Sequence, residues 1–461
     1  MSQQQTVKPQ ENKMGVMPVN KLLINMSLPM MVSMLVQALY NIVDSVFVAR
    51  VSENALTAVS LAFPIQTLMI ALGAGTGVGV NALLAKQLGE KDFNRVNKTA
   101  MNGIFLAFLS YLVFLLVGIV GVKPFYASQV KGADSEILTM GVEYLSIVCV
   151  ASFGLYTQFI GEKLLQATGK TIYTMFSQGL GAIINIILDP ILIFGMFGMP
   201  EMGVAGAALA TVIGQIASGA LAMYFNFTKN KEITFSIKDF RPDGEIIKKI
   251  YRVGVPSIIM QSIGSVMTYS MNLILIGFTS TATAVFGVYF KLQSFFFMPV
   301  LGLNNGMVPI IAYNYGAGKR SRLIKTAKLS YAYAFCLMLL GFLAFEFIPS
   351  TLLGFFDASP EMVEIGVFAL RIIGIHFLIA WYCIITGSIF QALGNGVYSM
   401  IVSVARQLVV LVPVAFVLSK LGGLHAVWWS FPIAELMSLL VSTIFLVTIY
   451  KRVIKNIPDE V

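Results

Sequence analysis

Few ionisable side chains sit inside the apolar stretches of this 461-residue chain, and the two best placed to do chemistry are Asp44 and Asp189. Gln37, Tyr40, Asn41 and Asp44 fall at i, i+3, i+4 and i+7, one face of a helix. Asn185 and Asp189 are i, i+4 neighbours and share a face in the same way. Carboxylates, amides and the hydroxyl of Thr211 are hard oxygen donors, a chemistry suited to a proton or a small cation. A carboxylate at the centre of a bilayer costs ~2.5–3.5 kcal/mol, so each is expected to be functional.

The elements that must position these groups follow from composition. The chain is 57% hydrophobic and 11% charged with mean hydropathy +0.82, against about 25% charge in a soluble domain. Apolar runs predict twelve membrane helices, near 22–49, 55–84, 99–121, 138–161, 171–195, 203–227, 252–276, 282–312, 326–347, 363–390, 397–418 and 424–449. Two are long enough to tilt, or to break near Pro299 or Pro309. On this reading Asp44 and Asp189 both lie in the outer halves of helices running outward, and Thr211 is close in depth. Glu162 falls near an inner helix end.

The net charge of +9 is explained by placement. With both termini cytoplasmic, most lysines and arginines fall inside, including Lys8, Lys13, Lys86, Lys91, Arg95, Lys98, Lys319, Arg320 and Arg322. Only Arg50, Lys123, Lys131 and Lys420 fall on the outer side. The positive-inside rule thus accounts for the basicity without a nucleic-acid partner. The first twenty residues hold no apolar core, so no cleavable signal is expected and the first helix serves as its own anchor. Residues 228–249, with Lys238, Asp239 and Arg241, read as a solvated linker between an N-terminal lobe, 1–227, and a C-terminal lobe, 250–461.

The two lobes repeat one another. A shift of 227 aligns 29–100 with 256–327: Pro29 meets Pro256, Gly75 and Gly79 meet Gly302 and Gly306, and Gly89 meets Gly316. Gln166-Ala167-Thr168-Gly169 likewise matches Gln391-Ala392-Leu393-Gly394. Six helices per copy give a pseudo-twofold axis along the membrane normal with a cavity between two bundles, a transporter architecture. Asp44 aligns with Met271, Tyr40 with Met267 and Asp189 with Val414. The first lobe is therefore expected to handle a coupling cation, and Met267 and Met271 to join Tyr40 and Asn41 around an adaptable substrate cavity.

The Tyr40-Asn41-x-x-Asp44 stripe, Asn185-x-x-x-Asp189-Pro190, the Gly203-to-Thr211 run and the repeat resemble the multidrug and toxic compound extrusion (MATE) family, in its MepA-like, DinF-related branch. The resemblance covers nearly the whole chain. It implies an all-α membrane protein of two six-helix lobes, a monomer in the plasma membrane that exports organic cations against inward protons or sodium, without a cofactor. It carries the coupling role to Asp44 and Asp189, supported by Gln37, Asn185 and Thr211, with Asp44, Asn185, Asp189 and Thr211 the metal ligands if sodium is the ion. Glu162, where relatives often have Asn, is an additional candidate. Sodium-site carboxylates that some relatives carry in the second lobe are missing.

Other features read more plainly. Gly73, Gly75, Gly77 and Gly79 lack a Walker lysine and predict helix packing. Cys149, Cys336 and Cys383, all in apolar stretches, predict no disulfide framework. Lys291, Arg371 and Arg406 lie within helices, Lys291 as a further site candidate, with Glu435 or Glu346 as prospective partners. His376 and His425 are expected in packing roles, and Trp428 and Trp429 in an interfacial belt. An enzyme would need a nucleophile with its base or paired metal ligands, and neither spacing occurs. The alternative, a lipid-linked saccharide flippase, would place several cations in the cavity for a pyrophosphate.

Overall fold

Long apolar runs have to satisfy their backbone hydrogen bonds internally, and the chain does so with helices. The computed structural model describes residues 11–129, 135–236, 240–356 and 358–458; Lys8, Lys131, Lys238 and Asp239 lie outside them. A short α1 (Lys13–Val16) precedes α2 (Val19–Val51), α3 (Glu53–Gly89), α4 (Phe93–Leu116), α5 (Val122–Gln129), α6 (Ser135–Val150), α7 (Phe153–Ala167), α8 (Thr171–Phe194) and α9 (Gly203–Lys229). The second half comprises α10 (Gly244–Ile276), α11 (Ser280–Gly316), α12 (Arg320–Phe347), α13 (Pro349–Gly354), α14 (Pro360–Gly374), α15 (Phe377–Ala392), α16 (Gly396–Val404), α17 (Val412–Leu421), α18 (Gly423–Val427) and α19 (Ser430–Arg452).

Among the described residues ten helical spans are long and apolar enough to cross a membrane, and two bent pairs, α6–α7 at 43° and α14–α15 at 49°, bring the number to twelve if each pair is one span. The bends differ in place from the sequence expectation: α11 runs unbroken through Pro299 and Pro309. The chain breaks instead at Ala151-Ser152 and Ile375-His376, corresponding places in the two copies. Two π-helical turns, Val117–Gly121 and Ala405–Leu411, also interrupt the spans, and neither has a marker in the sequence.

The repeat is visible in the turns. Gly169 (φ 84°) and Gly394 (φ 77°) close α7 and α15 in left-handed conformation, with Lys170 N–H bonding Leu165 C=O at 2.7 Å and Asn395 N–H bonding Phe390 C=O at 2.8 Å. The turn after α3 uses Lys91 (φ 60°) where the turn after α11 uses Gly318 (φ 71°).

The halves meet where α3 crosses α10 and α2 crosses α11, and the matched glycines make the approach reciprocal. A Cβ on Gly75 would stand 2.5 Å from Ile258 Cγ1, and one on Gly302 2.5 Å from Met31 Cα. One on Gly89 would strike the Tyr313 carbonyl, and one on Gly316 the Lys86 carbonyl. Each pair maps onto the other by the same shift of 227, so the contacts obey the pseudo-twofold axis. They seal the end that carries the basic loops.

That end is also strapped. Asn12 Nδ2 donates to Thr168 C=O and to Glu232 Oε1, each at 3.0 Å. Two residues on, Met14 C=O accepts from Asn314 Nδ2 and from Arg322 Nη2, both at 3.1 Å. The segment thus binds both halves. Lys319 donates to Glu11 at 2.8 Å, which holds the Glu11 carboxyl below its ordinary value.

Two expectations are corrected here. The linker is not simply solvated: Ile233 is buried, Phe235 packs edge-on against Phe227, and Asn97 and Asn102 accept from Thr234 N–H and Asp243 N–H. Trp428 is fully buried rather than interfacial, because α18 folds its side chain into the second half's core, whereas Trp429 is exposed. Arg371 and Arg406 find the anticipated partners, Glu346 at 3.9 Å and Glu435 at 3.3 Å.

Candidate functional site

Packing of α2 against α8, and of α8 against α9, brings the polar face of each helix together. Asn185 Nδ2 lies 3.4 Å from both Asp189 Oδ1 and Thr211 Oγ1. Asp189 is fully buried and Asp44 is close enough to act on it electrostatically. Tyr40 and Gln37 lie one and two turns before Asp44 on α2. Asp44 Oδ1, Asp189 Oδ2 and Asn185 Oδ1 are buried and have no hydrogen-bond partner. Among the described residues no lysine or arginine forms an ion pair with either aspartate.

Three orphaned oxygens, one from each carboxylate and one from the Asn185 amide, form an incomplete set, since buried acceptors are ordinarily satisfied. A small cavity of about 30 Å³ adjoins them, lined by Gln37, Tyr40, Asn185, Thr211, Gln158 and Gln178 among others. It suits one water-sized occupant. Asp44 and Asp189 flank this space rather than line it, each four residues beyond a lining residue, Tyr40 or Asn185. Among the described residues no cluster of three or more His, Cys, Asp or Glu could hold a metal ion. Any cation bound here would depend on amide and hydroxyl oxygens as well.

The small cavity shares Gln37, Tyr40, Gln158, Gln178 and Gln215 with a larger one of about 530 Å³ between the halves. That volume fits a drug-sized molecule. Glu162 is in its wall and lies five residues before α7 ends at Ala167, so a place near the helix end and a place in the wall coincide. Its carboxylate accepts from Gln158 at 3.0 Å and Gln178 at 2.6 Å. Lys163 reaches Gln166 at 2.9 Å and crosses to Asn305 of the second half at 3.0 Å.

Several expected residues lie elsewhere. Met267 and Met271 are packed in the hydrophobic core and do not line the cavity; they share the face of α10 that carries Ser257, Met260 and Gln261 but lie further along the helix. The methionines in the cavity wall are Met34 and Met260. Asn41 is exposed on α2 outside the cavity wall, since the stripe is wider than the face that turns inward. Lys291 is exposed, 5.8 Å from the Phe356 ring centre, and does not line the cavity. The wall also carries neutral amides the sequence reading passed over, among them Gln158, Gln178, Gln215, Gln261, Asn304 and Asn305. Their signal was available: an amide inside an apolar span is costly unless it faces polar company.

The sequence profile of the MatE family matches residues 29–191 and again 256–417, one match per copy of the repeat. The chain belongs to the MATE family. The multidrug export protein MepA of Staphylococcus aureus (strain MRSA252) is 30% identical over 424 residues, 91% of each chain. A multidrug resistance MATE family transporter of the MOP superfamily, solved in an outward-facing conformation, superposes with TM-score 0.90 at 25% identity, covering 97% of this chain and 99% of its own. A MATE structure in a straight conformation matches equally, with TM-score 0.90 at 25% identity over 97% and 99%. The MATE architecture expected from the repeat is therefore the one observed, that of a multi-span membrane transporter.

Proposed function

We propose that this MATE protein is a secondary active antiporter that exports small organic, chiefly cationic, compounds from the cell in exchange for protons or sodium. Asp44 and Asp189 take up the coupling ion, with Asn185, Thr211 and Gln37 completing its surroundings. The observation that carries the reading is the unfilled set of buried oxygens at these residues, beside a drug-sized cavity and free of a paired lysine or arginine. Two neighbouring carboxylates in an apolar setting cannot both stay ionised cheaply, so one cation relieves both.

Residues 1–227 and 250–461 act as the two moving lobes, joined by 228–249, with both termini in the cytoplasm of a plasma-membrane monomer. The glycine seal at the basic-loop end supports an outward-open resting form. Ion entry from outside and cargo occupancy favour opposite lobe orientations, which makes exchange obligatory. For a neutral cargo the drive suffices, since an inward charge gains ~2.3 kcal/mol per 100 mV and a tenfold cargo gradient costs ~1.4 kcal/mol; for a monovalent cationic cargo exchanged one for one the electrical terms cancel and the ion's concentration gradient supplies the drive.

Proteoliposomes loaded with a fluorescent organic cation test this. Efflux is expected to accelerate under an imposed inward proton or sodium gradient and to stop when that gradient is collapsed. Efflux indifferent to both gradients refutes the exchange. The flippase alternative calls for several cations, and among the described residues the cavity wall holds only Lys163, which is held by Gln166 and Asn305, and Arg406.

A further inference from the structure

The second half lacks acids at the positions aligned with Asp44 and Asp189, yet it buries a charge pair of its own on other helices. Arg406 Nη1 lies 3.3 Å from Glu435 Oε2; the arginine side chain is 27% exposed and the glutamate 3%. Arg406 lies on the π-helical turn Ala405–Leu411, whereas its counterpart span α8 is α-helical throughout. A π turn is unfavourable on its own and is often kept where it aims a side chain. Here it delivers Arg406 to the wall of the 530 Å³ cavity, beside Ser403, Ser438 and Gln391.

The pairing is lopsided. A guanidinium has five N–H donors in a planar fork, and the hydrogen bond to Glu435 uses one nitrogen. Glu435 keeps its other oxygen, Oε1, buried without a partner. The glutamate therefore anchors the arginine from behind and leaves its fork toward the cavity. Lys163, the other cation in that wall, is already held by Gln166 and Asn305 and adjoins Glu162.

We propose that Arg406 is a cargo-recognition residue of the cavity wall that receives a carboxylate of the cargo, so that the cavity distinguishes an acid-bearing compound from its ester. The inference rests on the export reading above and adds the residue that reads the acid. A planar fork matches a carboxylate by two parallel hydrogen bonds, and such charge-assisted bonds are stronger than neutral ones. A site built around them discriminates against an analogue whose acid is masked. The cost of desolvating Arg406 is already offset by Glu435, so an arriving carboxylate need not supply it.

Rhodamine B and its ethyl ester form a matched probe pair, sharing the xanthylium cation and differing in a free or masked carboxylate. Their binding to the full chain in nanodiscs is read by fluorescence polarisation. The double variant Arg406→Gln/Glu435→Gln replaces the ion pair by a neutral amide pair and avoids a stranded charge. It is expected to weaken rhodamine B by about tenfold or more, the range for a hydrogen bond to a charged group, and to leave the ester within about twofold. Arg406→Lys should restore part of the loss, and Glu435→Gln should bind the acid at least as tightly as the native chain. Equal losses for acid and ester mark a purely structural ion pair and overturn the proposal, as does an unchanged acid affinity. If the native chain binds the ester and the acid with no dependence on Arg406, the cargo assignment alone falls. If it binds neither, the export reading falls with it.

Discussion

Gly89 and Gly316 are each other's counterpart twice over: they align in the repeat, and each lies under the carbonyl of a residue on the other's helix, Tyr313 for Gly89 and Lys86 for Gly316. The basic-loop end closes because neither position carries a side chain. Gly316→Val should force α3 and α11 apart, at a cost of about 1–3 kcal/mol as for overpacked cores. A lower melting temperature in detergent, together with faster hydrogen exchange at residues 86–90 and 313–317, would register this. Native exchange rates there would show that the glycines are dispensable.

The turns after α3 and α11 have the same form, yet the first uses Lys91 at φ 60° and the second Gly318 at φ 71°. A left-handed conformation costs a residue with a Cβ roughly 1–2 kcal/mol. Lys91→Gly should therefore raise thermal stability by about that amount less the entropy glycine adds to the unfolded chain, while Gly318→Ala lowers it. A Cβ on Gly318 would meet nothing within 4 Å, so its effect is purely one of backbone. Thermal melts of the two variants moving in the same direction would contradict the argument.

Much of this architecture is legible in the sequence because it is written in apolar length and repeated glycine. The 227-residue shift predicts two copies of one bundle, and the i, i+4 spacing of Asn185 and Asp189 predicts that they share a face. What escaped were features set by backbone geometry. The bend after α6 follows no proline. The π turn at Arg406 has no residue signature. Met271 was assigned to the cavity by its alignment with Asp44; it keeps the helical phase of the wall residues Ser257, Met260 and Gln261 but lies about three turns beyond Met260, among core side chains.

The strap over the basic-loop end should tune how readily that end opens. Asn314→Ala removes one of two donors to Met14 C=O and the acceptor of Arg322 Nε, hydrogen bonds of about 0.5–1.5 kcal/mol each. Opening should become several-fold more frequent, measured as labelling of a cysteine placed at Gly15. An unchanged labelling rate would leave the strap without a role in gating.

Acid should loosen the same strap. Lys319 holds the Glu11 carboxyl below its ordinary 4.5, so its contribution is fully present above that value and is lost as pH falls through the lower folded value. Hydrogen exchange at residues 11–17 should quicken only in that acid range, and Glu11→Gln should abolish the dependence. The same acid response in Glu11→Gln would assign it to another group.

The central claim is that Asp44 and Asp189 together carry the ion that drives export. Ion-driven efflux from proteoliposomes, compared among the native chain, Asp44→Asn and Asp189→Asn, addresses it most directly, with fluorescence-polarisation binding of the same cargo as a check on folding. Both variants are expected to bind cargo and insert normally yet to lose acceleration by an imposed gradient. Full gradient-driven efflux in both would contradict the claim.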